Sequence, residues 1–172
     1  VPKDNPYADG ANGDPKVWSY GHRSPQGLVL DSKTDMIYMH EHGPKGGDEL
    51  NLVLPARNYG WSAVTKGINY SGAYVSPLKS APSVEEPLAY WVPSIAPSGL
   101  AIYEGAAFPQ WQGDLFVGAL VDEDVRQIKM QAGKVVSDKS VFTEIAARIR
   151  DVRVGPDGYL YILTDSESGK VL

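Results

Sequence analysis

Three times along the chain, a turn rich in Pro or Gly leads into a short apolar strand, a polar turn and a second apolar strand. Ser24-Pro25-Gln26-Gly27-Leu28-Val29-Leu30 is followed by Met36-Ile37-Tyr38-Met39. Ala96-Pro97-Ser98-Gly99-Leu100-Ala101-Ile102 is followed by Asp114-Leu115-Phe116-Val117. Arg150-Asp151-Val152-Arg153-Val154 is followed by Gly158-Tyr159-Leu160-Tyr161-Ile162-Leu163. Such a unit buries its apolar face by stacking on its own copies. The repeat therefore points to an all-β array such as a β-propeller, in which one blade is an antiparallel sheet of about four strands in about 40–50 residues. On that unit the 172 residues hold about three to four blades. The alternative is a plain β-sandwich whose turns are spaced this way by coincidence.

Composition agrees with short strands and many turns, since the chain has 18 Gly, 13 Pro and 10 Tyr. Pro156-Asp157-Gly158 is a turn with a mechanism: Pro presets φ, and Gly tolerates a positive one. Tyr70 to Pro87, rich in Ser, Pro and Ala, reads as a long loop between strands, and Thr143 to Arg150 reads as one helical turn or a loop entering a strand. A net charge of −5 without a basic patch argues against nucleic acid as a partner. The strongest apolar run, Leu115 to Val121, is too short to span a bilayer. With no cysteine, disulfides and thiolate chemistry are excluded. The chain starts without Met or a signal peptide, so Val1 is expected to be a mature or internal start.

Four blocks carry candidate chemistry. In Gly21-His22-Arg23-Ser24-Pro25-Gln26, Arg23 precedes a strand and presents either a fork for a carboxylate near the axis or a cap for loop carbonyls. Glu41-His42-Gly43-Pro44-Lys45-Gly46-Gly47-Asp48-Glu49-Leu50-Asn51 strips side chains from a loop and follows it with acids. Such a block suits Ca²⁺, which takes carboxylate and carbonyl oxygens together; it equally describes a solvated acidic turn. Asn58-Tyr59-Gly60-Trp61 reads as an aromatic corner. Arg148 and Arg150 alternate onto one strand face, where they require an anion between them or a screening carboxylate such as Asp151. His22, His40 and His42 lack zinc spacing, and no nucleophile-elbow, phosphate-loop or dinucleotide glycine pattern occurs.

In order, Gly21–Leu28, Glu41–Trp61, Trp91–Gly99, Trp111–Leu120 and Arg148–Asp165 resemble the soluble PQQ-dependent aldose dehydrogenases of glucose/sorbosone type. The resemblance covers most of the chain and implies a six-bladed propeller, of which this chain is the C-terminal half. It implies PQQ near the axis with a Ca²⁺ beneath it, and oxidation of an aldose to a lactone by hydride transfer to the quinone. Arg23 and Ser24 would contact the cofactor, and Arg148 and Arg150 would clamp its carboxylates. Ser94 matches a hydroxyl position near the cofactor. The backbone oxygens of Gly43 and Pro44 would bind the Ca²⁺ that touches PQQ, while Glu49 and Tyr59 would serve a second, structural Ca²⁺.

The same resemblance implies an aldose substrate, an external electron acceptor and a periplasmic or secreted location. The partner would be the N-terminal half or a second copy. Three departures accompany it. The family's base histidine falls upstream of Val1; Val121 stands where relatives carry a Lys; Ser24 replaces a usual Asn. A second reading is an inactive, calcium-stabilised propeller fragment that acts as a binding module.

Overall fold

The computed structural model describes all residues, Val1–Leu172. It is all-β, with ten strands and only two short 3₁₀ turns, Pro109–Trp111 and Thr143–Ile145. The first sheet is an antiparallel meander of β1 (Pro25–Leu30), β2 (Ile37–Glu41), β3 (Asp48–Leu52) and β4 (Ala89–Trp91). The second repeats it with β5 (Pro97–Ile102), β6 (Leu115–Ala119), β7 (Val125–Gln131) and β8 (Lys134–Val141). The third is a hairpin of β9 (Ile149–Val154) and β10 (Leu160–Thr164), extended by a bridge from Leu163 to Val171. The repeated units are thus the first two strands of each sheet. The expected helical turn lies at Thr143–Ile145, ahead of β9, and the long loop predicted around residues 70–87 occupies the β3–β4 connection.

β1 packs on β5, and β5 on β9. These three strands run in the same direction. Gln26, Ser98 and Arg150 line one cavity at their starts, and Leu30, Ile102 and Val154 line another at their ends. First strands side by side, with their sheets splayed outward, are the blade arrangement of a propeller.

The middle sheet is buried on both faces, and strand alternation explains how. Leu100, Ile102, Leu115 and Val117 face the first sheet in a core with Tyr38, Leu50 and Trp91. Their neighbours Ala101, Tyr103 and Phe116 face the hairpin, in a second core with Ile149, Val152 and Ile162. Every residue of β5 and β6 is consequently buried, and apart from Ser98 the two strands carry no polar side chain.

The repeat glycines mark where sheets approach. A Cβ at Gly27 would collide with His40 and Leu100, and one at Gly99 would collide with Asp151 and the Val152 backbone. Between β9 and β10, Gly158 has φ +83°, as its turn requires, and its carbonyl accepts the Tyr103 hydroxyl at 2.6 Å. Sheet-to-sheet polar ties add to these contacts. Ser98 Oγ donates to Ile149 O at 2.7 Å, and His42 Nε2 lies 2.7 Å from Pro97 O.

Candidate functional site

The predicted residues cluster at the starts of the inner strands. Arg23 and Ser24 immediately precede β1, Ser94 lies three residues before β5, and Arg148 immediately precedes β9, which carries Arg150.

Around the first sheet, Arg23, Gly43, Glu49 and Tyr59 line one small cavity with Glu41, His42 and Trp61. Its volume of about 10 Å³ has room for about one water molecule or ion. The Arg23 guanidinium lies 5.2 Å from the centre of the Trp61 ring, a cation–π stack, and Nη1 donates to His42 O at 3.1 Å. Of the two sequence readings of Arg23, the cap is seen: one nitrogen caps a loop carbonyl, while the guanidinium plane rests on an aromatic that neither reading included. Ser24 takes part mainly through its backbone, its amide held by Glu41 and its carbonyl by His42 N.

The Gly43–Pro44 loop is buried, yet the carbonyl oxygens of both residues accept no hydrogen bond from the protein. Buried main-chain oxygens are normally paired, so these two are available to a ligand. The Gly43 amide donates to Asp48 Oδ1 at 2.9 Å, and Asp48 Oδ2 accepts the Ser94 hydroxyl at 2.6 Å. Ser94 is thereby brought to the loop, with its hydrogen committed to Asp48. Both Pro44 and Ser94 border an open cavity of about 580 Å³ rimmed by Lys45, Lys66, Tyr70 and Val92.

Glu49 is largely but not fully buried, and that burial pushes its pKa up to about 7, against the pull of the Asn51 amide and with the nearby Glu41 adding to the rise. Asn51 Oδ1 is buried beside it without a partner. The Tyr59 hydroxyl is spent on the chain, donating to Leu52 O at 2.5 Å and accepting from Leu54 N at 2.8 Å. Its carbonyl accepts no hydrogen bond. No group of three or more His, Asp or Glu side chains converges as a metal cluster.

Arg148 and Arg150 do share a face, but the carboxylate between them is Asp165, not Asp151. Asp165 Oδ2 accepts Arg148 Nε at 2.9 Å and Arg150 Nη2 at 3.0 Å, whereas Asp151 pairs with Arg153. Strand alternation turns Asp151 to the opposite face, and the residue just beyond β10 returns beside the start of β9. The two arginines hold the Asp165 carboxyl below its ordinary value. Both arginine side chains remain about half exposed, so the pair adds little to stability; all three Arg148 nitrogens are bonded, Nη1 to Leu120 O at 3.4 Å, while Arg150 Nη1 has no protein partner.

None of the three histidines is a free base. His40 is wholly buried, and desolvation lowers its pKa to about 4. His42 reaches Pro97 O, and His22 lies between Ser19 Oγ at 2.8 Å and Glu41 at 3.1 Å. Val121, exposed, has no hydrogen-bonding side chain, and its amide donates to Ile95 O. Sequence reasoning missed Glu41, Asp48, Trp61 and Asp165. A signal existed for Glu41, an acid closing a strand that opens on the apolar run Ile37-Tyr38-Met39.

The glucose/sorbosone dehydrogenase family profile matches residues 1–172. The aldose sugar dehydrogenase YliI of Escherichia coli K12 is 45% identical over all of this chain and 47% of its own length. The crystal structure of a glucose dehydrogenase superimposes with a TM-score of 0.94 at 48% identity, over 99% of this chain and 50% of that one. The PQQ-bound aldose sugar dehydrogenase of Streptomyces coelicolor gives a TM-score of 0.71 at 27% identity, over 99% of this chain and 46% of that one. The chain spans about half the length of the relatives it matches. With all 172 residues inside the profile and the fold shared across these enzymes, the chain belongs to the glucose/sorbosone dehydrogenase family.

Proposed function

We propose that the chain is the cofactor-binding half of a PQQ- and calcium-dependent aldose dehydrogenase that converts sugars to lactones. The observation that carries this reading is the pair of unpaired carbonyls on the buried Gly43–Pro44 loop, set beside the stacked Arg23 guanidinium. Ca²⁺ is a hard cation that accepts carbonyl oxygens, and two such oxygens leave coordination sites open for a cofactor. The arginines supply what a planar tricarboxylate needs. Arg148 and Arg150 are held side by side by Asp165, and their half-exposed side chains would turn their remaining N–H groups, Arg150 Nη1 among them, to a carboxylate. Once bound, PQQ supplies the quinone that accepts two electrons and a proton from the sugar.

A second cation would be held beside Glu49. The Glu49 carboxylate, the orphaned Asn51 oxygen and the unbonded Tyr59 carbonyl would supply its oxygen ligands. Tyr59 would act through its main chain, because its hydroxyl is committed.

The base that takes the sugar's proton lies in this reading outside the 172 residues, on an N-terminal half or another chain completing a six-bladed ring. Leu28 and Leu30 on β1, and Tyr161 and Leu163 on β10, offer exposed apolar surface to further blades. An aldose, an external electron acceptor and a periplasmic or secreted setting complete the proposal. Calorimetric titration of Ca²⁺ tests it. Two sites are expected, one of them lost in Glu49→Gln; an absence of any Ca²⁺ binding by the chain would overturn the calcium reading.

A further inference from the structure

Glu41 closes β2, with 4% of its surface exposed. Its carboxylate meets four nitrogen groups. Oε2 accepts the backbone amides of Arg23 at 2.5 Å and Ser24 at 3.2 Å, while Oε1 meets His22 Nδ1 at 3.1 Å and Asn51 Nδ2 at 3.3 Å. A carboxylate has about four lone-pair sites, so all are used.

The two main-chain donors have a specific reason to need it. β1 pairs with β2 from Pro25 opposite Glu41, and residues 23 and 24 precede that ladder. Their amides find no backbone acceptor. Pro25 itself has no N–H, and the ladder continues only through the Ser24 carbonyl, which accepts His42 N, leaving the two amides without a strand to donate to. The side chain of Glu41 substitutes for a strand at this point. Behind it, His22 is braced by Ser19 Oγ at 2.8 Å and stacks on Tyr59 with ring centres 4.5 Å apart.

We propose that Glu41 is a positioning residue for the cofactor: it fixes the Arg23–Ser24 backbone so that the Arg23 guanidinium stays stacked over Trp61 beside the Gly43–Pro44 loop. The inference rests on reading Arg23 as a PQQ contact. A carboxylate suits the role where an amide does not. Gln at this position turns an NH₂ group toward one pair of donors and leaves them unsatisfied. Asp keeps the charge one methylene short.

The test uses the intact chain with Glu41→Gln, Glu41→Asp and Arg150→Ala. Amide hydrogen exchange is read residue by residue, and PQQ is titrated in excess Ca²⁺ by quinone absorbance. In Glu41→Gln, exchange at Arg23 and Ser24 is expected to speed by about ten-fold or more, with β5 and β9 unchanged. The PQQ dissociation constant is expected to rise about ten- to a hundred-fold. Glu41→Asp, which folds with its charge in place, should fall between the parent and Glu41→Gln in both readouts. Unchanged exchange at Arg23 and Ser24 overturns the proposal, as does a uniform rise across all strands, which marks a merely structural role. PQQ binding weakened by Arg150→Ala but not by Glu41→Gln also overturns it while leaving the cofactor reading intact. Local loosening in Glu41→Gln, in a parent that binds no PQQ, supports the positioning of Arg23 and overturns the cofactor reading instead.

Discussion

The Ser94 hydroxyl donates to Asp48 Oδ2 at 2.6 Å, joining the approach to β5 to the start of β3. The same carboxylate accepts Ala96 N at 3.0 Å through Oδ2 and Gly43 N at 2.9 Å through Oδ1. One fully buried acid thus ties the Gly43–Pro44 loop to the neighbouring sheet. Asp48→Asn turns donors toward donors, and we expect it to cost about 1–3 kcal/mol. Urea unfolding checks this: the midpoint should fall with an unchanged slope, and a loss below about 0.5 kcal/mol would contradict the tie.

Glu49 and His40 give opposite pH dependences in the cation-free chain. Burial raises Glu49 from its ordinary 4.5 to about 7. A raised carboxyl contributes stability below its unfolded pKa and loses it as pH climbs through the folded one. Glu49 therefore favours folding near pH 4.5 and stops doing so by about pH 7, a swing of about 3 kcal/mol. In chelator, His40→Gln should expose this rise in stability on acidification. A flat profile for that variant between pH 7 and 5 would contradict the burial of the Glu49 carboxyl.

His40 runs the other way. Burial depresses it from 6.5 to about 4, so the folded chain keeps it neutral. Its contribution is present above pH 6.5 and is lost as pH falls toward 4, again by about 3 kcal/mol. Glu49→Gln should therefore lose stability on acidification across that window, measured by thermal melts at fixed ionic strength. Stability of Glu49→Gln that holds constant from pH 6.5 to 4.5 would place the His40 ring in water.

Calcium should stabilise the parent by favouring the ionised Glu49. At 100 times the dissociation constant the gain is about 2.7 kcal/mol, seen as a higher melting temperature than in chelator and largely removed by Glu49→Gln. Equal melting temperatures with and without Ca²⁺ would contradict a structural cation in this cavity.

Much of the fold is legible in the sequence because its signals are local. The short apolar runs Leu28-Val29-Leu30 and Leu160-Tyr161-Ile162, and the turn at Pro156-Asp157-Gly158, depend only on neighbours along the chain. The position of Arg148 and Arg150 on one face followed from strand geometry for the same reason. Their partner did not. Asp165 reaches them only because β10 folds back on β9, a tertiary fact that made the sequence neighbour Asp151 look like the screen. Glu41 and Asp48 escaped for a related reason, since their roles lie in main-chain amides 17 residues and 48 residues away, and amides leave no mark in a sequence. Even Tyr59, singled out by the resemblance, has its phenol bonded within the chain and leaves its carbonyl free.

Supplied with PQQ and Ca²⁺, the 172-residue chain should turn over aldoses slowly or not at all. A placed base contributes about 10²–10⁴-fold, and His22, His40 and His42 are each bonded within the fold. Adding the N-terminal half as a second chain should restore turnover. Rapid glucose oxidation by the chain alone, its mass confirmed intact, would require a base among the residues described.

The central claim is that this chain carries the PQQ clamp, and direct titration of PQQ in excess Ca²⁺ tests it. Quinone absorbance should shift saturably with one site per chain, and Arg148→Ala and Arg150→Ala should each weaken binding about ten- to a hundred-fold. No saturable shift, or arginine variants that bind as the parent does, would contradict it.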